Sequence, residues 1–249
     1  MLPIVAEIIA RAEITPNELA IAHQGDSFTY SELAIKIGNN VSLLRDRGVK
    51  RGDRVILAAS STPDFVSAYF ATHAIGAIAV PIDPQINDDH LKYVIQEVEP
   101  ALVLANQSLG DHQEEVEDTY MSAHDQSFQY SCLDTRIDDP GDIVFTTGTT
   151  GKPKGVVLTQ RNLAAAARNI NEFIGNDSQD RELVPLPLSH SFGLGRLKCN
   201  MLMGGMVILS EGFLLPGRLF DALDFWGATG FSFVPAGFSL LAKLTGDKL

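Results

Sequence analysis

DIVFTTGTTGKPKGVVLTQRNL, residues 142–163, sets an apolar run, a Gly/Thr-rich segment and a second apolar run in line, and how they connect decides the fold. Asp142 to Thr146 reads as a buried strand, because Ile143, Val144 and Phe145 are uninterrupted β-branched or aromatic residues. Thr159 reads as the N-cap of a helix that begins near Arg161. Between them, Gly148, Gly151 and Gly155 permit positive φ and carry no Cβ, so backbone N–H groups can converge on an anion. The hydroxyls of Thr146, Thr147, Thr149 and Thr150 add donors, and Lys154 adds a point charge. This is the chemistry of a polyphosphate clamp. The same composition also suits a plain surface turn, and residue chemistry alone leaves both readings open. The Walker-type loop does not fit, because from Gly148 its frame meets Pro153 where the second glycine is required.

Working outward, strand-like runs recur at Leu19 to Ala22, Arg54 to Ala58, Ile78 to Ile82, Ala101 to Leu104, Glu182 to Leu186, Met206 to Leu209 and Phe231 to Val234. Helical patterns lie between them: Ser31 to Arg47, Pro63 to Ile75, Asp88 to Val98, Arg161 to Phe173, Ser191 to Met203, Gly217 to Trp226 and Gly237 to Leu244. Thr29-Tyr-Ser-Glu32 reads as a capping box, and Gly48 stands where the helix it opens should stop. Continuous apolar strands alternating with helices predict an α/β fold, with mainly parallel sheets covered by helices on both faces. Leu109 to Asp139, acidic and weakly periodic, reads as a surface excursion.

Composition narrows the function classes. With 249 residues, 45% of them hydrophobic and 20% charged, the chain can bury a sizeable core. A net charge of -12 argues against an extended nucleic-acid or anionic-membrane surface, so any phosphate bound should belong to a small ligand held locally. The start, MLPIVAEIIAR, has no basic leader and carries Glu7 within its apolar stretch, which argues against a secretory signal. No apolar run of about 18 residues predicts a membrane span. Cys132 and Cys199 are too few for a disulfide framework, and a cytoplasmic location is expected.

The loop resembles the signature of the AMP-forming adenylate-forming superfamily, which includes acyl-CoA synthetases, luciferases and peptide-synthetase adenylation domains. Its common form is Thr-Ser-Gly-Thr-Thr-Gly-x-Pro-Lys-Gly, and here only Thr147 departs, keeping a hydroxyl. FTYSELAIKIGNNVSLLRDRGVKRGDRVIL, AIGAIAVPIDP and LVPLPLSHSFGLG resemble three further segments of that family, so the resemblance runs from about Leu19 to the last residue. It implies a two-step reaction: a carboxylic acid attacks the α-phosphate of ATP to give acyl-AMP and pyrophosphate, and a thiol such as that of CoA takes the acyl group. It further implies that Thr146, Thr147, Gly148, Thr149, Thr150, Gly151 and Lys154 hold the β- and γ-phosphates. His190, Ser191, Phe192 and Gly193 would then position the acyl substrate, with Lys154 and His190 as the catalytic pair. Mg²⁺ is implied as well, with its ligands largely outside this chain.

Taken alone, a His between two serines is a surface or packing residue, and His190 gains its role only from the family segment. Asp83, Asp88, Asp89 and His90 look like a metal cluster, but Asp88 and Asp89 suit a helix N-terminus, and no metal site is assigned. Later family segments for adenine, ribose and a small C-terminal domain find no counterpart. The expectation is therefore an incomplete N-terminal large domain over residues 1–249, inactive by itself and open to self-association or to pairing with a missing C-terminal half. A stand-alone, non-catalytic nucleotide- or partner-binding protein is the alternative. A peptide-synthetase adenylation domain is less favoured, because no Asp follows the His190 segment where such domains hold the amino group.

Overall fold

The computed structural model describes residues 1–58, 60–105, 114–115, 133–146, 153–210 and 216–245. Two sheets carry the architecture. In the first, β1 (Leu19–His23), β10 (Met206–Leu209), β9 (Arg181–Val184) and β11 (Gly230–Phe231) run parallel, and β2 (Asp26–Thr29) closes one edge antiparallel to β1. In the second, β3 (Arg54–Ala58), β4 (Ile78–Pro81), β5 (Leu102–Ala105), β6 (Glu114–Glu115) and β7 (Pro140–Thr146) run parallel, and β8 (Lys154–Thr159) closes an edge antiparallel to β7. The α/β expectation holds, and each sheet adds an antiparallel edge strand that the sequence reading lacked.

Alternation along the strands sets the layers. Val55 and Leu57 face one core while Ile56 and Ala58 face another, and Val207 and Leu209 are divided from Met206 and Ile208 in the same way. The core between the sheets is filled by α1 (Ile4–Ile14), α2 (Tyr30–Asp46), α3 (Pro63–Ala74), α5 (Gln160–Ile174) and α6 (Ser191–Met203). Helix α4 (Asp88–Val98) covers the outer face of the second sheet, and α7 (Pro216–Trp226) and α8 (Pro235–Thr245) cover that of the first. Among the described residues no helix is long and apolar enough to cross a membrane.

Local chemistry explains most boundaries. Thr29 and Glu32 form the expected capping box, and Thr159 forms one with Asn162. Asn87 caps α4 by accepting from the His90 amide, with Asp88 and Asp89 in the first turn. Helix α1 was not foreseen: Pro3 at its N-cap has no side-chain acceptor, although Ile4, Val5, Ile8 and Ile9 are buried at helical spacing. Strand β2 follows a tight turn in which Gln24 and Gly25 both take positive φ, 51° and 99°. The end of the expected surface excursion is pinned down. The Asp134 amide donates to the Ala74 carbonyl, Arg45 pairs with Asp134, Arg51 pairs with Asp139, and Leu133 and Ile137 pack on the core.

Helix α6 is buried continuously from Arg196 to Leu202. On one side Arg196 makes two bonds to Glu182 of β9, at 2.7 and 2.5 Å, and the Asn200 amide also donates to Glu182. On the other side Lys198 reaches Asp142 of β7 at 3.0 Å, where Tyr69 and His73 of α3 also converge. Burial by itself would raise the Asp142 carboxyl, but the Lys198 ammonium and the His73 hydrogen bond outweigh it and hold the group down to about 2. Lys198→Met should therefore cost about 3–5 kcal/mol, because it strands a buried carboxylate, and adding Asp142→Asn should restore much of that loss. Urea unfolding midpoints check both. The pH dependence has a definite sign: a depressed carboxyl stabilises above its unfolded value near 4, and the contribution disappears as pH falls toward 2. Relative to the double variant, the wild type should lose about 2 kcal/mol across that window.

Candidate nucleotide and carboxylate site

The segment that opened the sequence analysis is a β-hairpin. Strand β8 pairs antiparallel with β7, with Thr146 opposite Lys154, Phe145 opposite Gly155 and Val144 opposite Val156. The Thr146 hydroxyl donates to the Lys154 carbonyl in a long 3.4 Å contact, and both residues are exposed at the end where the two strands are connected. Thr147, Gly148, Thr149, Thr150 and Gly151 lie outside the described residues. The expected passage from loop directly into helix is thus replaced by six residues of strand before α5. Gly155 is explained by close packing rather than by φ, since a Cβ there would lie 3.1 Å from Ile143 and 3.3 Å from Phe145. The Tyr93 hydroxyl of α4 donates to the Pro153 carbonyl at 3.1 Å and fixes the descending arm. Its sequence signal is a helical aromatic six residues after the Asn87 cap of α4.

The second expected segment is the turn from β9 into α6. The His190 amide donates to the Pro187 carbonyl, and the Leu194 amide to the His190 carbonyl. His190 occupies the N-cap with extended backbone and no side-chain capping bond, and His190, Ser191 and Phe192 are exposed. Gly193 is buried, and a Cβ there would stand 2.5 Å from the Pro187 carbonyl oxygen and 2.8 Å from that of Leu186. Only glycine lets the first turn of α6 close on the preceding Pro-Leu-Pro segment.

One hydrogen bond ties the sheets at this end: the Leu188 amide donates to the Ser61 hydroxyl at 2.9 Å, joining the segment after β9 to the segment after β3. Since β7 runs parallel to β4 and β4 to β3, Thr146 at the end of β7 and the His190 turn lie at the same end of the two sheets. That is the carboxyl end of the strands, where open α/β sheets place ligands. In the Asp83, Asp88, Asp89 and His90 grouping, to which no metal site is assigned, Asp83 accepts from the Gln85 amide and the Asn87 side-chain amide pairs with His90. Among the described residues no group of three or more His, Cys, Asp or Glu could hold a metal ion.

Comparison with known proteins gives a consistent picture. The family model described as "AMP-binding enzyme" matches residues 9–248. A feruloyl-CoA synthase of Amycolatopsis is 30% identical over 230 residues, which is 87% of this chain and 45% of that protein, so the chain spans less than half its length. The N-terminal domain of FACL13 from Mycobacterium tuberculosis superposes with a TM-score of 0.87 at 22% identity, over 98% of this chain and 65% of that one. The o-succinylbenzoate CoA synthetase of Bacillus subtilis, solved with ATP and magnesium ion, superposes with a TM-score of 0.84 at 23% identity, over 94% of this chain and 65% of that one. At these identities the two structures establish the fold: an α/β domain with two helix-flanked sheets.

Gly193→Ala should destabilise the chain by about 2 kcal/mol or more, because backbone must move to admit the methyl group. Gly195→Ala, with open space around its Cβ position, should be neutral or slightly stabilising. Thermal melts of the two variants side by side check the contrast.

Proposed function

The chain belongs to the AMP-binding enzyme family, and from that membership we propose that it is the N-terminal, large-domain part of an AMP-forming ligase that activates a carboxylic acid with ATP. The observation that carries this reading is the hairpin, in which exposed Thr146 and Lys154 pair where its two strands are connected through the Gly- and Thr-rich residues 147–151. Thr146 and Lys154, with Thr147, Gly148, Thr149, Thr150 and Gly151, would hold the β- and γ-phosphates. A carboxylate oxygen attacks the α-phosphorus, the bond to the bridging oxygen breaks, and pyrophosphate leaves carrying the electron pair. Negative charge spreads over the phosphoryl oxygens, so amide, hydroxyl and ammonium donors aimed there lower the barrier. The carboxylate needs no base at neutral pH.

His190, Ser191 and Phe192 are assigned to the carboxylate entry, with Gly193 permitting their turn. The uncapped start of α6 there supplies partial positive charge for an anionic group. A thiol such as that of CoA would accept the acyl group, and a cytoplasmic location suits that chemistry. Among the described residues no group of three or more His, Cys, Asp or Glu could hold a divalent cation. Asp142 is committed to Lys198, Asp138 is paired with Arg161 and Asp139 with Arg51, so no step is assigned through a metal.

A second reading follows from coverage: a chain spanning 45% of a feruloyl-CoA synthase could bind polyphosphate without turnover. Carboxylate-dependent ATP–pyrophosphate exchange on the 249-residue chain separates the two, and we expect little or none without the remainder of a ligase. Binding itself has its own test. Mg-ATP and Mg-pyrophosphate, but not adenosine, should protect residues 147–152 from protease, and Lys154→Ala should weaken pyrophosphate binding by about tenfold or more. Cleavage unaffected by either ligand would refute the assignment of the loop.

A further inference from the structure

We propose that Asp142, Lys198, Tyr69 and His73 are positioning residues that couple the polyphosphate end of the site to the carboxylate end through α6, an inference that rests on the hairpin being the polyphosphate holder. The geometry is that of one buried joint with two arms. Asp142 precedes Thr146 by four strand residues, about 13 Å at 3.3 Å per residue. Lys198 follows His190 by eight helical residues, about 12 Å at 1.5 Å per residue. The arms are of matched length, and they rise to the same end of the sheets.

The joint is stiff for stated reasons. Asp142 is fully buried and accepts from the Tyr69 hydroxyl at 2.9 and 3.0 Å, from His73 Nε2 at 2.9 Å and from Lys198 Nζ at 3.0 Å. The Tyr69 ring packs on His73 with centroids 4.4 Å apart, and Lys198 Nζ lies 5.9 Å from the Tyr69 centroid. His73 Nε2 faces two acceptors, the Gly141 carbonyl and Asp142, so it carries the proton. Nδ1 is buried without a partner among the described residues. The joint thus sets a carboxylate against an ammonium, with the Tyr69 hydroxyl and the His73 ring packed together beside the carboxylate. Sliding β7 past α6 would separate a buried ion pair, so the two elements keep a fixed relation. On the opposite face, the bonds from Arg196 and Asn200 to Glu182 prevent α6 from rolling out of register. Order imposed on the hairpin by polyphosphate therefore passes to the first turn of α6, and by linkage an occupant of the His190 turn tightens polyphosphate binding by the same factor.

Hydrogen exchange read by mass spectrometry, with and without Mg-pyrophosphate, tests this on the 249-residue chain. In the wild type, pyrophosphate should slow exchange in residues 146–154 and also, by about fivefold, in residues 188–196. In Asp142→Asn/Lys198→Met, which removes both charges together, protection of 146–154 should persist while that of 188–196 is lost. Tyr69→Phe, which deletes one donor without changing charge, should give an intermediate loss and serves if the double variant folds poorly. Equal protection of 188–196 in wild type and variants overturns the coupling. So does wild-type protection confined to 146–154, which leaves the polyphosphate reading standing. No protection at 146–154 in the wild type removes both.

Discussion

A helix sealed between two sheets can carry charged side chains only if each sheet supplies a counter-charge, and α6 is built on that constraint. Arg196 and Lys198 are two residues apart, about 200° around a helix, so they point to opposite faces. Glu182 meets one from the first sheet and Asp142 meets the other from the second. An isolated buried charge would be prohibitively costly, so each pairing dictates where the helix lies relative to a particular strand. The start of α6 and the end of β7 inherit their positions from those two ion pairs. Apolar packing alone would tolerate more sliding, since cores of suitable volume accept many arrangements.

The hairpin changes how an anion can be held. In a Walker-type loop the phosphate sits on the start of the following helix and draws on its dipole. Here β8 stands between the loop and α5, and six residues of strand span about 20 Å. The first turn of α5 is also already satisfied, because Thr159 and Asn162 cap each other reciprocally. The α5 dipole is thus out of reach of an anion beyond Thr146, and the proposed holder relies on loop amides, hydroxyls and Lys154 as donors. The heavy use of Thr in residues 146–150 follows from that division, since each Thr offers a hydroxyl in addition to its amide.

Much of the fold was legible because strand and helix periods differ and the layers preserve them. Arg54 to Ala58, Met206 to Leu209 and Asp88 to Val98 have the bounds their patterns imply. Two of the misses share a cause: β2 and β8 are edge strands, exposed on much of their length, and their exposed residues carry no burial signal. Val156 and Val157 looked like the approach to a helix because the pairing that makes them a strand is with β7 across the hairpin, information that local pattern does not contain. The site was legible as two motifs, but not as one place. Nothing local in Asp142 or Lys198 shows that they meet, and a lone Asp in a strand or a lone Lys in a helix reads as exposed by default.

The acidity of the chain then becomes compatible with the site assigned to it. A net charge of -12 repels a nucleotide polyphosphate at long range, which slows encounter. At physiological ionic strength that repulsion is screened beyond about 8 Å, so affinity depends on what lies within a few ångströms of the phosphates. On the strand that leads to Thr146 the one carboxylate, Asp142, lies about 13 Å short of it and is already engaged by Lys198. The exposed Lys154 and the uncapped start of α6 then dominate the local field. The buried ion pair at Asp142 therefore has an electrostatic role beyond its mechanical one. It removes a carboxylate from the strand that leads to the phosphates, where an unpaired negative charge would oppose the ligand.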